Sequence, residues 1–217
     1  MAYHKQTHYE GEPSFSIPNA YLKAALHLLI RGTERLQEKF VFDVSEYENN
    51  ITRKLVAEMH AEQKDTGKYI IRVDIFSGTL SDPTSSNQLS EIDIRFTWDN
   101  YHPHSYLAAE AKRLFGKGAS LAGPYVNEGV MDFIDGKYSR GHNLGIMLGY
   151  ILLAPIGKAI NSVEIALTNR RAKTNETSPF VNVEGLVNYS LIFKTAHIQK
   201  NYGTEIIIFH MFVDLAS

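Results

Sequence analysis

The chain has 217 residues, of which 44% are hydrophobic and 21% are charged, and its formal net charge is -2. This length and composition argue against a disordered tail, a collagen-like rod and a coiled coil, and they indicate a globular protein with a sizeable core. The nearly balanced charge excludes a strongly basic nucleic-acid binder but is compatible with a local basic groove. Because the chain has no cysteine, disulfides, thiol catalysis and thiolate zinc sites are also excluded.

The first 18 residues are mostly polar and lack the apolar core of a signal peptide, which predicts a cytoplasmic protein. The most apolar window, residues 144–156, has 13 residues and includes Pro155. Since a membrane span needs about 20 apolar residues, we expect a buried strand there and no membrane partner.

Two amphipathic helices are predicted first. Apolar residues recur at helical spacing over residues 18–40 and again from Ile51 to about residue 64. Ser45 followed by Glu48 matches a capping box at the start of the second helix. Glu48 also lies on the inward-facing stripe of this helix, where a carboxylate is costly unless something binds it.

A three-stranded meander follows. Alternating apolar residues predict strands over residues 69–75 and 91–98, separated by a polar loop at 77–90. A turn at 99–104 begins a hairpin whose returning strand covers residues 105–113. Strand alternation then places Asp93 on the polar face of the second strand.

The second half of the chain is predicted as a helix, a strand, another helix and a closing hairpin. Pro124 opens a helix that ends near residue 136, a strand covers 144–153, and a helix begins at Pro155. A polar loop to residue 179 precedes closing strands near 189–197 and 205–213. The simplest prediction is an α/β domain at residues 45–217, with residues 1–44 as an added helical arm.

The most informative chemistry is carried by Asp93, Glu110 and Lys112. Two carboxylates on adjacent strands supply the oxygen ligands that hard divalent cations such as Mg2+ prefer. A lysine two residues beyond the glutamate lies on the same face, about 6.5–7 Å further along the strand. It would orient or deprotonate a water molecule and stabilise charge that develops on a phosphate.

This arrangement resembles the PD-(D/E)xK nuclease superfamily, whose core is a helix, a three-stranded meander, a helix and a strand. Asp93 matches the motif aspartate, the Glu-Ala-Lys triplet at 110–112 matches the (D/E)xK element, and Ile92 stands where the name has proline. Glu48 occupies the place of an additional acidic residue in many members. The resemblance covers residues 45–153, and the segments at 125–129, 136–138 and 147–150 are similar to bacterial defence-associated nucleases.

The resemblance implies hydrolysis of a phosphodiester with Mg2+ or Mn2+. Asp93, Glu110 and the carbonyl of Ala111 would hold the metal, Lys112 would position the attacking water, and Glu48 would bind through a water or help a second ion. The candidate phosphate contacts are Lys137, Tyr138 and Arg113.

The expected protein is therefore a metal-dependent endonuclease for double-stranded DNA and a subunit of a bacterial anti-phage defence complex. One site cuts one strand, so a double-strand break predicts a homo-oligomer, with the helical arm at 18–40 as its expected contact surface. The resemblance also suggests an ATPase or sensor partner. Two alternatives stay open, namely an inactive nucleic-acid or protein-binding subunit of the same fold and an RNA-cutting relative.

Purely structural interpretations compete with each assignment. The Asp93, Glu110 and Lys112 pattern is also typical of a cross-strand ion pair on a surface. Asp74 offers an alternative to Asp93, although a solvated position on its strand is favoured. The histidine pairs at 4 and 8 and at 102 and 104 are candidate metal ligands, but they lack a third ligand nearby. For His197 and His210, buried, hydrogen-bonded positions are predicted. Further basic residues are candidate phosphate contacts or solvated surface, namely Lys117, Arg140, Arg170, Arg171 and Lys173.

Overall fold

A seven-stranded mixed sheet organises the protein. The computed structural model describes residues 15–78, 91–99, 105–118 and 120–216. The strands are β1 (Arg72–Gly78), β2 (Glu91–Thr97), β3 (Tyr106–Phe115), β4 (Leu144–Leu153), β5 (Glu176–Asn182), β6 (Ile192–Ile198) and β7 (Glu205–Asp214). Their order across the sheet is β1-β2-β3-β4-β7-β6-β5, and the predicted α/β class is confirmed.

Helices cover both faces of this sheet. They are α1 (Asn19–Lys39), α2 (Glu48–Thr66), α3 (Ala122–Pro124), α4 (Met131–Ile134) and α5 (Ile156–Thr168), and a π-helical segment (Tyr125–Val130) joins α3 to α4. Within the described ranges, every helix is too short or too polar to cross a membrane.

The connections determine the direction of each strand. β1, β2 and β3 form an antiparallel meander, whereas β4 lies parallel to β3. Parallel neighbours need a crossover, and the segment containing α3 and α4 supplies it. The closing hairpin of β6 and β7 extends the same sheet, because β7 pairs in parallel with β4 and antiparallel with β6.

The apolar side chains form one cluster on each face of the sheet. Leu26 of α1 and Leu55 of α2 are fully buried together with Leu148 of β4. Phe133 of α4 and Phe212 of β7 are buried in the cluster on the opposite face. Helix α1 therefore shares the main core, and its apolar stripe is already covered, so that stripe is not free to form the expected oligomer contact.

Strand β5 corrects the prediction of a polar loop that reaches residue 179. It pairs with β6 at the edge of the sheet, and its exposure alternates along the strand. An edge strand needs hydrogen bonds on one side only, so it tolerates polar residues and Pro179. Most of the predicted loop at 77–90 and of the predicted turn at 99–104 lies outside the described residues.

Candidate functional site

The candidate site lies where β2 and β3 part. Ile94 and Ala109 form the last described pair between these strands, and beyond it β2 continues beside β1 while β3 continues beside β4. The backbone N–H of Ala111 faces the resulting gap and donates to Asp93 Oδ2 at 2.8 Å. The Asp93 carboxylate thus takes the place of a backbone acceptor on a neighbouring strand, and this hydrogen bond holds it against β3.

Glu110 extends into the same gap and is only 5% exposed. Its Oε1 accepts a hydrogen bond from Lys112 Nζ at 2.7 Å. Its Oε2 is buried, and no N–H or O–H donor among the described residues reaches it. Buried carboxylate oxygens are normally hydrogen-bonded, so this oxygen needs a partner, which can be a bound cation or a proton shared with the neighbouring carboxyl of Asp93.

Ionising both Asp93 and Glu110 in this buried position is energetically unfavourable. Burial, followed by the charge of Asp93, raises the pKa of Glu110 to about 8. Burial also raises the pKa of Asp93, against the opposing effects of the Ala111 N–H, of the charge of Lys112 and of a side-chain hydrogen bond with Glu110. Without a cation the pair therefore keeps a proton near neutral pH, as closely spaced carboxylates do.

Lys112 connects this pair to helix α2. Its ammonium nitrogen lies 2.7 Å from Glu110 Oε1 and 3.3 Å from Glu48 Oε1. Although burial lowers it, the charges of Glu110 and Glu48 raise the pKa of Lys112 above its usual range. A protonated Lys112 suits two of its three predicted roles, orienting water and stabilising charge, better than the third, removing a proton.

Glu48 belongs to the site and not to a capping box. Helix α2 begins at Glu48, its N-cap residue Tyr47 makes no side-chain cap, and the backbone N–H of Ser45 donates to Asp43. Glu48 Oε2 instead accepts from the backbone N–H of Arg113 at 2.9 Å. Burial raises the pKa of Glu48. Strand β3 therefore holds the first residue of α2 against the site.

A buried hydrogen bond that the sequence pattern did not predict supports this arrangement. Thr52 lies one helical turn after Glu48, and its hydroxyl bonds to the Tyr150 hydroxyl of β4 at 3.1 Å. Both side chains are fully buried. The helical spacing of Thr52 from Glu48 was the available signal, but its partner is 98 residues away and has no signature in the local sequence.

The three residues predicted to contact phosphate either have partners within the protein or are buried. The guanidinium of Arg113 donates a hydrogen bond to the backbone carbonyl of Glu46 at 3.0 Å. Lys137 pairs with Asp132 and lies over the ring of Tyr138, 4.8 Å from its centroid. Tyr138 itself is buried, which raises the pKa of its hydroxyl. Arg113 borders an open depression of about 530 Å³ that Glu48 also lines.

His197 and His210 occupy the predicted buried, hydrogen-bonded positions. The carbonyl of Thr174 only accepts, so His197 Nδ1 donates to it at 2.9 Å. Thr195 then donates to His197 Nε2 at 2.7 Å, His210 Nε2 donates to Thr195 at 2.9 Å, and Tyr125 donates to His210 Nδ1 at 3.0 Å. Every donor and acceptor along this chain is satisfied only when both histidines are neutral. Burial accordingly lowers the pKa of His197 to about 4 and that of His210 to about 3.

The other candidates stay outside the site. Asp74 is exposed on β1. Arg170 and Lys173 both donate to Asn127 Oδ1, and Arg171 pairs with Glu176. The histidine pairs at 4 and 8 and at 102 and 104 lie outside the described residues.

The oxygen donors of the site fit a hard divalent cation. Within the described ranges no group of three or more acidic or histidine side chains is arranged around a common metal position. Mg2+ does not require one, because it keeps several waters and is held by one or two carboxylates. Asp93, the donor-free oxygen of Glu110 and the carbonyl of Ala111 are the donors that would hold it.

Comparisons with known proteins add no identification. No protein-family model matches the chain, and no match was found among curated proteins or solved structures.

Proposed function

We propose that this protein is a metal-dependent phosphodiesterase of the PD-(D/E)xK type that cleaves DNA. The observation that carries the proposal is the buried, donor-free Oε2 of Glu110, next to Asp93 and on a side chain that bonds Lys112. The chain order of helix, antiparallel meander, helical crossover and parallel strand supports it, since the superfamily core has the same order.

The residues around the gap divide the work of phosphodiester hydrolysis. When bound, the cation would supply positive charge that ionises Glu110 and polarises the phosphate. Lys112 would orient the attacking water and stabilise the negative charge that develops. Glu48 would fix the direction of the ammonium group, because it holds Lys112 from the helix side. Asp93 is already oriented by the Ala111 N–H.

A purely structural ion pair explains this site less well. Glu48 and Glu110 both pair with one ammonium group, Asp93 lies beside Glu110, and each of the three acidic side chains is partly or fully buried. Burying charge that is not neutralised costs folding free energy. The excess of acid is therefore better explained by a cation that the protein binds than by stability.

The proposed substrate is duplex DNA, and the proposed setting is a homo-oligomeric nuclease subunit of a bacterial anti-phage complex with an ATPase or sensor partner. These parts of the proposal rest on the family resemblance. An RNA-cutting relative and an inactive binding subunit are separate outcomes of the same experiment.

The experiment incubates supercoiled plasmid and a long RNA with the protein in Mg2+, Mn2+ or EDTA. The wild type is expected to cut the plasmid only with a cation, and Lys112→Met and Glu110→Gln are expected to be at least 100-fold slower. Glu58→Gln is the matched control, because Glu58 is a buried carboxylate that pairs with Lys39 of α1, away from the gap.

Unchanged cutting by both Lys112→Met and Glu110→Gln would reject the site. Cleavage of RNA alone would favour the RNA-cutting relative. A wild type that binds DNA but cuts nothing with either metal would favour the binding subunit.

A further inference from the structure

Arg95 is a cation beside the proposed site that has no acidic partner among the described residues. Strand alternation places its side chain on the same side of β2 as that of Asp93, two residues earlier. Its guanidinium lies over the ring of Tyr106, 4.7 Å from the ring centroid. Its Nε is buried and has no hydrogen-bond partner within the described part of the chain.

A structural arginine would be expected to use the acids around it. Asp74 faces Arg95 directly across the β1–β2 ladder, but no ion pair joins these two described residues. Arg35, in contrast, pairs with Glu58, Glu62 and Asp65 between α1 and α2. Because a buried donor without a partner costs folding free energy, the position of Arg95 calls for a partner beyond the described residues, which a bound ligand can supply.

The chemistry of this ligand follows from the guanidinium group. Its planar fork of N–H donors matches the oxygens of a phosphate, and stacking on an aromatic ring holds the plane of the fork. Tyr106 is itself buried, so the surface under Arg95 is fixed. Arg95 lies about 6.5–7 Å along the strand from Asp93, within reach of a phosphate next to the one at the metal-binding pair.

We propose that Arg95 binds a backbone phosphate of the nucleic-acid substrate beside Asp93 and Glu110. The inference rests on the proposed function, because it names how that site holds its substrate. A site with three acidic side chains repels a polyanion, and Arg95 together with the bound cation would offset this repulsion.

The test separates binding from hydrolysis. Anisotropy of a fluorescein-labelled DNA duplex is titrated in EDTA between 25 and 200 mM salt. Arg95→Gln is expected to bind about tenfold more weakly and to lose ~0.9 from the slope of log K against log salt, which is the loss of one phosphate contact. Arg95→Lys keeps the charge and is expected to keep the slope. Arg31→Gln, on exposed surface of α1, is the matched control and is expected to behave as the wild type.

The outcomes distinguish this inference from the proposed function. Arg95→Gln with wild-type affinity and slope would overturn the inference, even if the wild type cleaves DNA. An equal loss in Arg95→Lys, accompanied by a lower melting temperature in both variants, would show a structural role and would also overturn it. A slope that falls only in Arg95→Gln would support the inference, even if the protein never hydrolyses DNA.

Discussion

Replacing Glu110 with glutamine is expected to stabilise the metal-free protein while removing its proposed activity. The pKa of Glu110 is raised from 4.5 to about 8. At pH 7 the unfolded chain therefore gains from ionising this group, whereas the folded chain does not. Linkage puts this cost at about 3 kcal/mol, from 1.36 kcal/mol per pH unit between the ordinary pKa of 4.5 and pH 7.

Glutamine removes that cost but also weakens a hydrogen bond. The bond from Lys112 to Glu110 Oε1 is 2.7 Å long, and exchanging its carboxyl acceptor for an amide offsets about 1 kcal/mol. The expected net gain is about 2 kcal/mol at pH 7, or a rise of about 4–8 °C in melting temperature for a protein of this size.

The pH dependence gives the sign of the effect. A group whose folded-state pKa is raised contributes its stability fully below pH 4.5 and loses it as the pH rises toward 8. The advantage of Glu110→Gln over the wild type should therefore grow by about 1.4 kcal/mol per pH unit over this window and level off above it. Urea unfolding in EDTA from pH 4.5 to 9 measures it.

A matched carboxylate provides the control. Glu58 is similarly buried, but it pairs with Lys39 at 2.6 Å and with Arg35 at 3.3 Å. Glu58→Gln should therefore destabilise the protein by about 1 kcal/mol. If Glu110→Gln destabilises the protein at every pH, as Glu58→Gln does, then Glu110 is an ordinary ionised partner of Lys112 and the argument for a cation fails.

Three further predictions concern the scaffold. His210 has a folded-state pKa near 3 against an ordinary 6.5, so its contribution to stability is complete above pH 6.5 and is lost as the pH falls. Urea unfolding from pH 7.5 to 5 should therefore show the wild type losing about 2 kcal/mol relative to His210→Gln. A constant difference between the two proteins would contradict this. Gly149→Ala would place a Cβ 2.7 Å from the Phe212 ring, so thermal unfolding should show a loss of about 1–3 kcal/mol, and an unchanged melting temperature would mean that the core yields. Tyr150→Phe leaves the buried Thr52 hydroxyl without its partner, so it should lower the free energy of unfolding by about 1–2 kcal/mol and slow plasmid cutting. Unaffected cutting would show that Thr52 does not position Glu48.

Local periodicity determined most of the elements and one important part of the site. Alternation along a strand depends on the backbone alone, so the order of residues was enough to place Glu110 and Lys112 on one side of β3 and Asp93 on the polar side of β2. The apolar stripes of α1 and α2 were equally predictable, because their burial repeats with the helical period. Strand β4 was predictable for another reason, because it is a continuous apolar run that is too short to span a membrane.

Pairing between distant segments was decided only by the tertiary structure. β5 has a polar sequence and becomes a strand because β6 offers it an edge. The capping box at Ser45 was a sound local pattern, but Glu48 bonds instead to Arg113, 65 residues away. The parting of β2 and β3, which leaves Glu110 Oε2 without a donor among the described residues, depends on where two hydrogen-bond ladders end. Such contacts join residues far apart in the chain, and no local period records them.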